Sequence, residues 1–206
     1  MTQRRAIACA GVFAAVFMPA AAHAHLVNTG MGPLYDGIDH FGLSPEDYLP
    51  VVALAFFAGL RGAAHSRLAL AAVTACWIMG GVAALSGVKL PSIASSSLTA
   101  ALLLSVGALL ASDRDCPAVL CAAVAAALGL VRGSADMAGA SANLADTVTL
   151  IGMAASAFAV FALAASITLP LTRFWMIASV RVGGSWIAAL GLLLAGWIWR
   201  YGTRIT

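Results

Sequence analysis

Residues 147–169 carry no charged side chain, and neither do residues 68–88. Each run is as long as the roughly 20 apolar residues that a helix needs to cross the hydrocarbon core of a bilayer. With no water there to satisfy backbone N–H and C=O groups, such a segment must close its hydrogen bonds internally, which makes it helical. Further apolar runs at 48–64, 95–111, 117–131 and 183–199 are separated by polar or proline-containing turns. These runs predict an all-α integral membrane protein, with a bundle of about six transmembrane helices in residues 44–206. Composition agrees: the chain is 62% hydrophobic and 9% charged, against about 25% charged in an ordinary soluble domain. Its net charge of +3 is small and scattered, so it offers no basic face for a nucleic acid. Little chain is left for a water-soluble catalytic domain, and no glycine-rich phosphate loop followed by Lys-Ser/Thr is present, so neither enzymatic activity nor ATP-driven pumping is expected.

Residues 1–24 read as a secretory signal. Arg4 and Arg5 are basic, residues 6–18 are apolar, and Ala22-His23-Ala24 supplies small residues for cleavage. Cleavage there leaves residues 25–43 as an exported segment that begins at His25. Six helices then place both mature termini outside. Arg61, Arg67, Arg114, Arg173 and Arg181 fall on the cytoplasmic side, against Lys89, Arg132, Arg200 and Arg204 outside. That excess is one residue, so orientation in the inner membrane rests mainly on the signal. Ser44-Pro45-Glu46-Asp47 marks a helix start, with a serine cap, proline at the first position and acids in the first turn. Gly129-x-x-x-Gly133, Gly80-Gly81 and Gly183-Gly184 allow close approach of helices, and Trp197, Trp199 and Tyr201 suit an interfacial belt. Cys76, Cys116 and Cys121 lack metal-ligand spacing and read as packing residues. Arg61, His65 and Arg67 read as a cationic helix end rather than an exit vestibule, and Arg181 as a cytoplasmic flank of the last span.

The exported segment carries the chemistry. Asp36, Asp39 and His40 stand at i, i+3 and i+4, so one helical turn puts two carboxylates and an imidazole on one face. With His25 and its free α-amine they form a candidate metal site. Imidazole and carboxylate without thiolate suit a divalent transition metal such as nickel, copper, cobalt or zinc. The alternative is that the two aspartates cap and solvate a surface turn.

Gly37-x-Asp39-His40 directly before a membrane helix resembles the GxDH element of the HupE/UreJ-type hydrogenase/urease accessory membrane proteins. Ala22-His23-Ala24-His25-Leu26-Val27, Gly32-Pro33-Leu34-Tyr35-Asp36-Gly37, Leu60-Arg61-Gly62 and the late run from Arg181 to Gly191 are similar to one branch of that family. The resemblance implies a nickel permease or accessory role, with the aspartate and histidine of GxDH important for the metal. Two departures matter. Gly32-Pro33 stands where the family motif has His-Pro. Arg132, within Gly129-Leu-Val-Arg132-Gly133-Ser-Ala-Asp136, stands where the histidine of a second motif is expected. A fixed cation repels a divalent ion, although Arg132 and Asp136 at i and i+4 can neutralise each other.

Two classes of function fit. One is a permease that captures a transition metal, nickel by the resemblance, at His25, Asp36, Asp39 and His40. The other is a non-transporting membrane accessory protein that binds metal or hands it to an exported or membrane metalloprotein. The bilayer and a divalent ion are partners in both, and self-association is compatible with either.

Overall fold

Two prolines and a pair of glycines set the path of the first three described helices. In the computed structural model, which describes residues 30–88, 92–112 and 114–201 (backbone only at 92–95), all regular structure is helical. Helix α1, Pro33–Leu43, starts after Gly32, whose φ of 109° is open to glycine alone among common residues. Helix α2, Pro45–Arg61, begins one residue after α1 ends. Pro45 disfavours helical geometry at Ser44, which is extended (φ −97°, ψ 97°), and the two helices meet at a bend of 73°. Gly62, at φ 105°, then turns the chain directly into α3, Ala63–Leu85. The remaining helices are α4 (Ser92–Ala111), α5 (Ala118–Asp136), α6 (Leu144–Thr168) and α7 (Phe174–Tyr201).

Helices α3, α5, α6 and α7 are each long and apolar enough to cross a membrane, and the bent pair α1–α2 meets the same criterion as a unit. Residues Ser96–Ala111 of α4 form a shorter apolar helix. The chain is thus a multi-pass membrane protein with four or five candidate spans among seven described helices. Large apolar side chains such as Leu163, Phe174, Trp186 and Leu193 face outward, as a lipid-facing surface requires.

Small residues bring helices together where apolar burial gives no drive toward association. A Cβ on Gly129 would meet the Val73 carbonyl, and one on Gly133 the Trp77 carbonyl, so α3 and α5 run parallel in close contact. Gly107, Gly184 and Gly191 do the same for the antiparallel pair α4 and α7. Gly183, by contrast, faces open space. The core between α1, α2, α3 and α6 holds Phe41, Phe57, Trp77 and Phe161, with the Phe41 and Trp77 rings 5.6 Å apart. Cys116 and Cys121 are buried and Cys76 is half-buried, in keeping with packing roles.

Three sequence expectations are revised. The exported segment, expected to hold one helical turn around Asp36, Asp39 and His40, carries an 11-residue helix. Helix α5 continues past residue 131 to Asp136, so Arg132 is helical and buried instead of opening the following loop. Helix α7 begins at Phe174, which puts Arg181 inside a helix rather than before one. Ser44 does occupy the cap position of α2, but its side chain makes no cap hydrogen bond. Its carbonyl instead accepts from the Asp47 and Tyr48 N–H groups. The signal segment expected at residues 1–24, and His25, lie outside the described residues.

Candidate metal centre

The feature that organises the site is a buried guanidinium. Arg132 is 6% exposed on the last turns of α5. A charge removed from water is tolerated only when it is paired and hydrogen-bonded. Here the Nε of Arg132 donates to Asp47 Oδ1 at 2.5 Å, Nη1 to Thr99 Oγ1 at 3.2 Å, and Nη2 to Asp136 Oδ1 at 2.8 Å. Glu46 Oε1 stands 3.8 Å from Nη2. One side chain of α5 thus ties together the start of α2, the N-terminal half of α4 and its own next turn. The expected i, i+4 neutralisation by Asp136 is present, and Asp47 and Glu46 join it.

Arg132 uses only half of what the two aspartates offer. Asp47 Oδ2 and Asp136 Oδ2 are buried and have no hydrogen-bond partner. His40, in the last turn of α1, is carried over them by the bend at Ser44, and its Nε2 lies 3.9 Å from Asp47 Oδ2. One ligand atom each from His40, Asp47 and Asp136 lies within 4.8 Å of the others. Two ligands of one transition-metal ion, each about 2.0–2.2 Å from it, stand no more than about 4.4 Å apart. The trio therefore needs only small side-chain shifts to share an ion. His40 and Asp136 border a cavity of about 290 Å³ that Glu46, Ser96, Thr99 and Arg132 also line, with Leu194 of α7 as an apolar wall; Asp47 lies buried behind them.

Of the residues expected from sequence, His40 is in this group. Asp39, on the exposed face of α1, and Asp36, half-buried on the same helix, are not among the three that come together. Sequence reading missed Asp47 and Asp136 as ligand candidates, because each had a sufficient local explanation: a first-turn acid and an i+4 partner. The available signal was their placement beside long apolar runs, where an ionisable residue is a functional candidate by default. Gly37 of the GxDH element has a packing role as well. A Cβ there would collide with the Thr149 carbonyl, so this glycine lets α1 lie against α6 and sets the position of His40.

The far end of the bundle is a structural clasp. Arg61 donates to the Arg114 carbonyl, lies 4.6 Å over the Phe57 ring and stands 3.9 Å from Asp115, while His65 Nε2 is 2.9 Å from the Cys116 carbonyl. These contacts fasten the α4–α5 connection to the α2–α3 turn, which fits the reading of Arg61 and His65 as helix-end residues.

The chain matches no curated protein and no solved structure. The sequence profile of the HupE / UreJ proteins matches it over residues 12–194, nearly its whole length and including every residue of the site just described. That family comprises accessory membrane proteins and is associated with nickel and other metal uptake for hydrogenase and urease. A multi-helix membrane bundle with a GxDH histidine facing buried carboxylates, matched over this range, belongs to the HupE / UreJ family.

Proposed function

We propose that this protein is a transition-metal permease, with nickel as the cargo that the family favours. It would take its ion at the mouth of the bundle where α1 and α2 meet. The observation that carries this reading is the convergence of His40, Asp47 and Asp136 on one another, with two buried carboxylate oxygens left unpartnered and a cavity lined by His40 and Asp136 beside them. An imidazole and two carboxylates form a donor set suited to nickel, cobalt or zinc. The half-exposed position of His40 gives an ion arriving from water a first ligand. His25, Asp36 and Asp39, on the same exported segment, act upstream in this scheme, as capture residues that raise the local concentration of cation near the cavity.

Uptake of nickel into proteoliposomes, measured alongside the metal content of purified protein, tests the reading. Wild type should accumulate the ion, while Asp47→Asn and His40→Ala should not; His65→Ala, at the far end, should still transport. A second reading is favoured by the bonds Arg132 makes to α2 and α4 at the site. Such a cross-link suits a protein that holds metal at one mouth and hands it to an exported metalloprotein. Stoichiometric binding with no flux in any variant would select it.

A further inference from the structure

We propose that Arg132 sets the charge preference of the metal site, tuning it to a divalent ion. This rests on the metal-binding reading above and adds a residue that is not itself a ligand. Asp47, Asp136 and Glu46 surround the guanidinium. Carboxylates ligate metals in the ionised form. Three carboxylates against one guanidinium, with His40 neutral as a ligand must be, leave the site two negative charges. A divalent ion neutralises it; a monovalent ion leaves charge uncompensated in a buried place, and a trivalent ion overshoots.

The geometry gives Arg132 a second task in the same role. It takes Oδ1 of Asp47 and Oδ1 of Asp136, and the two Oδ2 atoms are the unpartnered pair. Each carboxylate is thereby divided, one oxygen held by the fixed cation and one free for the mobile one. Orientation of this kind asks for the rigid planar fork of arginine, which the ammonium of lysine cannot reproduce. The residue that stands where the family resemblance expects a histidine is, on this account, a built-in counter-ion rather than a barrier.

Binding of Ni²⁺ and of Gd³⁺ to the purified full-length protein, compared by calorimetry in detergent, tests this. A fixed charge acts on each unit of charge of the ion, so its removal favours a trivalent over a divalent ion by one further unit of interaction. Arg132→Gln should therefore raise the Gd³⁺-to-Ni²⁺ affinity ratio at least about tenfold. Arg132→Lys should keep the wild-type ratio while weakening both ions. Glu46→Gln changes the charge in the opposite direction at an exposed residue and should lower the ratio. A ratio that stays within about twofold of wild type in Arg132→Gln overturns the inference, and if that variant does not fold, an unchanged ratio in Glu46→Gln does so. If wild type binds no Ni²⁺, the metal site itself falls; Ni²⁺ binding without a change in ratio rejects the role of Arg132 alone.

Discussion

At the scale of single residues, the site separates groups that hold the protein together from groups left available to a ligand. Asp47 does both. Its Oδ1 accepts from Arg132 and its Oδ2 is unpartnered. Asp47→Asn would leave the guanidinium short of its closest carboxylate. Removing one partner of a buried pair costs about 3–5 kcal/mol, so the melting temperature in detergent should fall clearly. His40 has no comparable structural duty, being 3.9 Å from its neighbour and partly exposed. His40→Ala should abolish high-affinity nickel binding, read by calorimetry, while shifting stability by less than about 1 kcal/mol. The contrast between the two variants separates binding from folding. Sequence alone displayed His40 and the Arg132–Asp136 spacing, because both are local. It could not display the bond from Arg132 to Asp47, which closes a gap of 85 residues. Without that bond a charge at position 132 marks the end of a span; with it, α5 continues for another turn.

At the scale of elements, glycine decides where helices touch, and glycines of similar appearance in the sequence do different work. Gly37 lies against the Thr149 carbonyl of α6, whereas Gly183 faces open space. A methyl group added at Gly37 must push α1 away from α6, at a cost of about 1–3 kcal/mol for overpacking. Gly37→Ala should therefore lower the melting temperature and weaken nickel binding together, since His40 rides on the same helix. Gly183→Ala should change neither. The pairs Gly129–Gly133 and Gly80–Gly81 were legible as close-contact positions because small residues at that spacing have few other uses in a bilayer. Gly37 was legible only as part of a motif, and its packing role emerges from the placement of α1 on α6. That α1 runs for 11 residues rather than one turn was also hidden, since a short segment with Gly37, Gly42 and Pro33 has weak helical propensity and is stabilised here by its contact with the bundle.

At the scale of the whole molecule, the ionisable groups that pair with one another in the two clusters described above segregate to two ends. His40, Asp47, Arg132 and Asp136 occupy one, and Arg61, His65 and Asp115 the other. Exported and cytoplasmic faces assigned from the signal segment predict that a cysteine at Ser141, exposed beyond the α5 end of the candidate metal site, reacts with a membrane-impermeant maleimide in intact cells. Asp115→Cys, at a fully exposed side chain on the opposite end, should react only after lysis. Mass analysis of the labelled protein checks both and would show a chain beginning at His25. The apolar runs made this two-ended arrangement legible; which charges face each other across it depends on how the helices are angled. The bend of 73° between α1 and α2 has a mechanical corollary. His40 and Asp47 sit on opposite arms of that elbow, so the elbow works like a pair of calipers whose opening is the ligand spacing. Anything that straightens it, a substitution at Pro45 or a stretch along α1, would part the jaws of the proposed site and weaken its hold on an ion without altering one of the proposed ligands.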